Sequence, residues 1–130
     1  MKITYKMIER RSRINSNEEQ KSGFYPQIVR AKTIKIEELA LSVARGKNMQ
    51  AIETKSVIEL MLSCIEKELL NGNNVCLDGF GTFQLSARCK RSVTNPDEIR
   101  AESIEVKRVS FTPSLPLRNR MKVAKFVKSK

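Results

Sequence analysis

Hydrophobic and polar positions along this chain follow two periods, and the changes from one to the other mark the elements. Over residues 2–11, Ile3, Tyr5 and Met7 alternate with polar residues, the pattern of a strand. Residues 12–22, Ser-Arg-Ile-Asn-Ser-Asn-Glu-Glu-Gln-Lys-Ser, are polar and rich in turn formers, and read as a mobile loop. Gly23 to Ala31, with Phe24, Tyr25, Ile28 and Val29, reads as a second strand that Pro26 puts at a sheet edge or ends early. Helical spacing then takes over. Ile36, Leu39, Ala40 and Val43 form one stripe over 36–45, with Glu37 and Glu38 in the first turn, where carboxylates favour the helix dipole. Gly46-Lys47-Asn48 ends that helix, and Met49-Gln50 leads into a longer one that runs to about Leu70 and closes at Asn71-Gly72. Its stripe is Val57, Ile58, Met61, Leu62, Ile65 and Leu69. These are more apolar positions than a short helix and one hairpin can cover. Val57 to Leu69 is therefore expected to be a dimer seam, with cover by the N-terminal strands as the alternative.

The next stretch organises the rest. Val75 to Leu77 is a short apolar run that stops at Asp78-Gly79-Phe80-Gly81. From Thr82 the period is two, with Phe83 and Leu85 pointing one way and Thr82, Gln84 and Ser86 the other, so a β-hairpin with one buried face is expected. Past Ala87 the second strand loses its apolar face and becomes basic at Arg88, Lys90 and Arg91. A strand that leaves its core as a cationic ribbon needs a polyanion to lie against. Asn95-Pro96-Asp97-Glu98 reads as a helix start, with Asn as cap, Pro first and Glu third. Ser103 to Phe111 is a return strand, apolar at Ile104, Val106 and Val109 and charged at Glu105, Lys107 and Arg108; Thr112-Pro113-Ser114 is expected to break it. Leu115 to Val123 suits a short helix capped near Ser114 or Leu115, with Arg118, Arg120 and Lys122 on its polar side. Ala124 to Val127 suits a last strand before a basic tail.

Charge sharpens the picture. At 130 residues the chain carries a net charge of +11, so nucleic acid or another anionic surface is the first partner to consider. Residues 1–35 hold nine Lys/Arg against three Asp/Glu, residues 36–87 four against seven, and residues 88–130 twelve against four. A near-neutral centre between two cationic segments is what a core with a binding surface looks like. Aromatic residues are few and Trp is absent, which counts against single-strand binding by base stacking. The three cysteines, Cys64, Cys76 and Cys89, are widely spaced and the chain has no His, so neither a zinc site nor a disulfide framework is expected, and no cofactor is implied. Cys64 and Cys76 fall on apolar positions and read as core residues. No signal-peptide pattern and no run of 18 apolar residues occur, which fits a cytoplasmic protein with no membrane partner. The lack of His, of a phosphate-loop pattern and of paired carboxylates leaves nothing to supply a general base or nucleophile. An enzyme with a small-molecule substrate is not expected.

The order of helix, turn, long helix, Gly-Phe-Gly-Thr-Phe hairpin at 79–83, basic ribbon, return strand ending Phe111-Thr112-Pro113 and short helix resembles the HU/IHF family of bacterial DNA-bending proteins. The resemblance covers roughly residues 36–123, and the additional strands resemble those of N-terminally extended HU-like proteins. It implies an α+β fold: a helix-turn-helix base, a three-stranded antiparallel sheet and a β-ribbon arm at about 86–108, in an intertwined homodimer. The N-terminal extension would then be residues 1–35 and the HU-like domain residues 36–130. Family members reach around the minor groove, and the proline at each arm tip wedges between base pairs; HU and IHF are themselves the standard examples of this mode. Carried over to this sequence, the resemblance implies DNA contacts from Arg88, Lys90, Arg91, Asn95, Pro96, Arg100, Lys107, Arg108, Arg118, Arg120 and Lys122. It implies a dimer core of Val57, Met61, Leu62, Ile65, Phe80, Phe83 and Phe111. The tip departs from the family pattern. Asp97-Glu98-Ile99 follows Pro96, and Asp97, Glu98 and Glu102 would repel phosphate.

Two functions compete on this sequence. One is a largely sequence-tolerant, architectural double-stranded DNA-binding homodimer of the nucleoid, for which phosphate contacts and DNA deformability would outweigh base reading. The other is an HU-like interaction module that keeps the dimer without bending DNA, its acidic tip and added strands serving another protein. A basic ribbon also leaves RNA binding open.

Overall fold

The computed structural model describes residues 1–10, 23–92 and 94–130. The loop expected at 12–22 lies outside the described residues. The chain divides into two compact units, Met1–Ile34 with Met121–Lys130, and Lys35–Arg120.

The first unit is a three-stranded sheet. β1 (Ile3–Arg10) lies at its centre, β2 (Gly23–Ile28) pairs with it antiparallel, and β6 (Phe126–Lys128) pairs with it in parallel, giving the order β2-β1-β6. Pro26 lies opposite Met7 on β2, which pairs on one side only, so its missing N–H costs the sheet nothing. The register Tyr5 to Ile28, Met7 to Pro26 and Ile3 to Phe126 gathers apolar side chains on one face. On that face the Tyr5 and Phe126 rings meet edge to face at 6.4 Å. Sequence reasoning grouped residues 121–130 with the helical segment. Here they go with the N-terminal strands, because a parallel pair joins the two ends of the chain.

The second unit holds two helices, a second sheet and most of a third helix. α1 (Ile36–Ala44) and α2 (Ala51–Leu70) pack against each other through small side chains: Ala40, Ala44 and Thr54 are buried, and the Thr54 hydroxyl donates to the Gln50 carbonyl at 3.0 Å. α2 ends where the sequence says it should. The Gly72 N–H donates to the Leu69 carbonyl and the Asn73 N–H to the Glu68 carbonyl, both at 3.0 Å, the paired bonds of a Schellman motif.

β3 (Val75–Leu77), β4 (Gly81–Cys89) and β5 (Ile104–Pro113) form an antiparallel sheet in that order. The corner between β3 and β4 is a turn closed by the Phe80 N–H on the Leu77 carbonyl at 2.8 Å. Gly79, its third residue, has φ +73°, a value a Cβ would strain. Gly81 is needed for another reason. A Cβ there would lie 2.5 Å from the Phe111 ring and 2.6 Å from the Thr112 carbonyl oxygen. Phe111 in turn contacts Phe83 and Phe80, with ring centroids 4.9 and 5.5 Å away. β5 ends within Thr112-Pro113-Ser114, as the sequence suggested: Pro113 is its last residue, opposite Gly81, on a strand with only one neighbour. α3 (Leu115–Met121) follows, capped by the Ser114 hydroxyl, which accepts from the Leu117 N–H at 3.2 Å.

Little of this is buried. Among the described residues the buried side chains are Ala40, Ala44, Thr54 and Leu69. Val57, Leu60, Met61, Leu62, Phe80, Val109 and Phe111 remain exposed, while Ile65 and Phe83 are partly covered. Cys64 and Cys76, expected in the core, are exposed in the single chain.

Candidate nucleic-acid interface

β4 and β5 continue past the aromatic cluster as a two-stranded ribbon, paired as far as Cys89 opposite Ile104. One further bond, from the Lys90 N–H to the Ser103 carbonyl at 2.7 Å, extends the pairing. The register slips between Ser86 and Ala87: Ser86 faces Arg108 and Ala87 faces Val106, so Lys107 is the extra residue of a β-bulge. The slip has a chemical effect. Three residues apart on a regular strand, Glu105 and Arg108 would point to opposite faces. With Lys107 bulged, both face the side of β4 that carries Ser86 and Arg88.

On that side the Arg88 Nε donates to Glu105 Oε1 at 2.8 Å. Arg88 is exposed and Glu105 half-buried, so the pair adds little stability, but it offsets one ribbon cation. Lys90, Arg91, Arg100, Lys107 and Arg108 are exposed. Residues 88–108 hold six Lys/Arg and four Asp/Glu, a far more balanced set than the basic ribbon alone suggests.

The tip is not a simple hairpin. It carries two 3-10 turns, Pro96–Glu98 and Ala101–Ser103. The Asn95 side chain accepts from the Asp97 N–H at 3.1 Å, and Pro96 opens the turn at the one position where its missing N–H is harmless. The helix-start reading of Asn95-Pro96-Asp97-Glu98 therefore describes the local geometry. Ser103 closes the second turn, its hydroxyl donating to the Arg100 carbonyl at 2.7 Å. A shallow cleft at the tip is lined by Lys90, Arg91 and Arg100 together with Glu98 and Glu102, so both signs of charge meet there.

The other predicted contacts lie elsewhere. Arg120 Nη2 donates to the Gly79 carbonyl at 2.6 Å and so ties α3 to the turn before β4. Arg118 is exposed on the same helix. Lys122 follows α3 and belongs to the first unit. Sequence reasoning missed the Arg88–Glu105 pair and the bulge at Lys107. Both depend on cross-strand register, which no single strand's pattern reveals.

A family model described as "HU domain fused to wHTH, Ig, or Glycine-rich motif", HU-HIG, matches residues 1–128 and so spans both units. The chain belongs to the HU-HIG family. Among proteins similar to this HU-HIG chain, the DNA-binding protein HU of Buchnera aphidicola subsp. Acyrthosiphon pisum is 33% identical over 81 residues, 62% of this chain and 88% of that protein. Integration host factor subunit alpha of Actinobacillus succinogenes is 32% identical over 89 residues, 68% of this chain and 91% of that one. A match to the DNA-binding protein HU of Buchnera aphidicola subsp. Baizongia pistaciae is 37% identical over 59 residues and spans 64% of that protein. A crystal structure of a putative bacterial DNA binding protein from Bacteroides vulgatus superposes with a TM-score of 0.67 at 19% identity. It covers 98% of this chain, which spans about half (49%) of the length of that one, and at this identity the likeness is one of fold.

Proposed function

We propose that this HU-HIG chain is an architectural protein of the bacterial nucleoid that binds double-stranded DNA with little sequence preference, as a homodimer. The observation that carries the reading is the β4–β5 ribbon, which leaves an apolar body with Lys90, Arg91, Arg100, Lys107 and Arg108 exposed along it. Long cationic side chains on an extended ribbon match the spacing of a phosphate backbone and need no base-specific geometry. The dimer reading is supported by the uncovered stripe on α2 and by the half-open Phe80 and Phe111. A second copy seated on these residues supplies the core that a single chain lacks.

Binding is by neutralising phosphates, and bending follows from neutralising them on one side of the duplex. Pro96 acts as a turn former in this reading. Asp97 and Glu98 follow it directly, and two carboxylates brought up to a phosphate backbone oppose insertion. The acidic tip also favours a second reading, in which the dimer serves as a protein-interaction module without bending DNA. Band shifts of linear, nicked and pre-bent duplex across a range of salt, with duplex RNA as competitor, test the two. The DNA reading expects binding at low salt, a steep salt dependence and preference for DNA. Replacing Lys90, Arg91, Lys107 and Arg108 by Ala is expected to weaken all sequences alike and make the salt dependence shallower. No binding at low salt, or an unchanged response in this variant, refutes the role of the ribbon.

A further inference from the structure

The HU-like body is not where most of the charge lies. The unit Met1–Ile34 with Met121–Lys130 holds twelve Lys/Arg against three Asp/Glu, whereas Lys35–Arg120 holds thirteen against eleven. Of the net +11, the smaller unit therefore carries +9 and the larger +2. Leaving out residues 11–22, the smaller unit still has nine cations and one carboxylate, Glu9.

Topology concentrates these charges. The parallel pairing of β1 and β6 sets Ile3 opposite Phe126 and Tyr5 opposite Lys128. Lys2 and Lys125 therefore enter the sheet side by side, where the Ile3 N–H donates to the Lys125 carbonyl at 2.7 Å. Lys6 lies one step along the central strand, opposite Gln27 and on the face away from Tyr5, Met7 and Ile28. By the same register Lys2 and Lys125 share the face of Lys6, whereas Lys128, opposite Tyr5, lies on the apolar face. Lys2, Lys6 and Lys125 are exposed and form no ion pair with a described residue. In the ribbon, by contrast, Arg88 is held by Glu105 and the tip carries its own carboxylates. Unpaired ammonium groups on a small rigid sheet repel one another, and a polyanion relieves that repulsion.

We infer that the face of the β2-β1-β6 sheet that carries Lys2, Lys6 and Lys125 is a second contact surface for duplex DNA, distinct from the ribbon. The inference rests on the DNA-binding reading above. It assigns a task to strands that lie outside the HU-like segment.

The test uses the full chain and a labelled random-sequence duplex, with affinity measured between about 50 and 200 mM salt. One variant changes Lys2, Lys6 and Lys125 to Gln, and a second changes the same three to Arg. Each phosphate contact contributes about 0.9 to the slope of log affinity against log salt. If all three lysines of one protomer make contact, the Gln variant's slope is shallower by about 2.7. Over that fourfold rise in salt the parent then loses roughly 40-fold more affinity than the variant. The Arg variant keeps the parent's slope. A parent that binds, with a Gln variant of unchanged slope and affinity, overturns the inference and leaves the ribbon reading standing. Equal losses in the Gln and Arg variants overturn a contact made through charge. Capture on phosphatidylserine vesicles that needs these lysines, with an unchanged DNA slope, overturns it in favour of a membrane surface. A parent that binds no duplex at low salt removes both readings together.

Discussion

Replacing Met61 by Ala is expected to weaken self-association about 30-fold. Met61 lies in the middle of α2 and keeps 46% of its surface exposed, beside Val57, Leu60 and Leu62 at 63, 66 and 39%. Burying a side chain of this size from full exposure is worth about 1.5–3 kcal/mol, so covering the open part of Met61 is worth about 1 kcal/mol. In a two-fold symmetric dimer the loss is counted twice, giving about 2 kcal/mol, and 1.4 kcal/mol is a factor of ten in Kd. Sedimentation equilibrium across a dilution series reads this shift directly. The melting temperature should also rise with protein concentration, since only the folded dimer gains from association. Glu66→Ala, on the opposite side of the same helix from Val57, is the control and should leave Kd within about twofold. A folded monomer at all concentrations, or equal Kd values for Met61→Ala and the parent, refutes the seam.

Three further outcomes are expected. Gly81→Ala drives a methyl group into the Phe111 ring and the Thr112 carbonyl, and should destabilise by about 1–3 kcal/mol in urea unfolding; an unchanged midpoint shows that β5 moves aside freely. Arg120→Ala loses the bond to the Gly79 carbonyl and should lower stability by up to about 1 kcal/mol, because that bond is exposed, while leaving the salt slope of DNA binding unchanged. A slope shallower by about 0.9 with stability intact would make Arg120 a phosphate contact instead. Pro96→Ala should bend a doubly labelled duplex as far as the parent does, read by energy transfer, since Pro96 opens a capped turn; a straightened duplex would identify Pro96 as a wedge.

Much of the second unit was legible because its signals are local. The stripe from Val57 to Leu69 and the stop at Asn71-Gly72 place α2 without tertiary information, and the two glycines around Phe80 locate the corner. Asn95-Pro96-Asp97-Glu98 also announced its turn correctly, since cap, proline and acidic residues act within four positions. What escaped was set by pairing at a distance. β6 falls near the last strand expected at Ala124 to Val127, but its pairing could not be read, because its partner β1 lies at the other end of the chain. The bulge at Lys107 exists only relative to β4.

The same long-range pairing changes how the charge should be understood. Read linearly, the chain has two basic ends, and the second appears to belong to the ribbon. Folded, the basic tail leaves the ribbon and joins the basic N-terminus in one sheet, while the ribbon keeps a carboxylate for most of its cations. That division suits two demands that conflict on one surface. The proposed self-association through Val57, Leu60 and Met61 needs a body whose copies do not repel, and a unit of net +2 meets that need better than one of +11. Affinity for a polyanion needs the opposite. The chain divides the two demands between its units: the seam residues belong to the unit of net +2, and the excess charge belongs to the other.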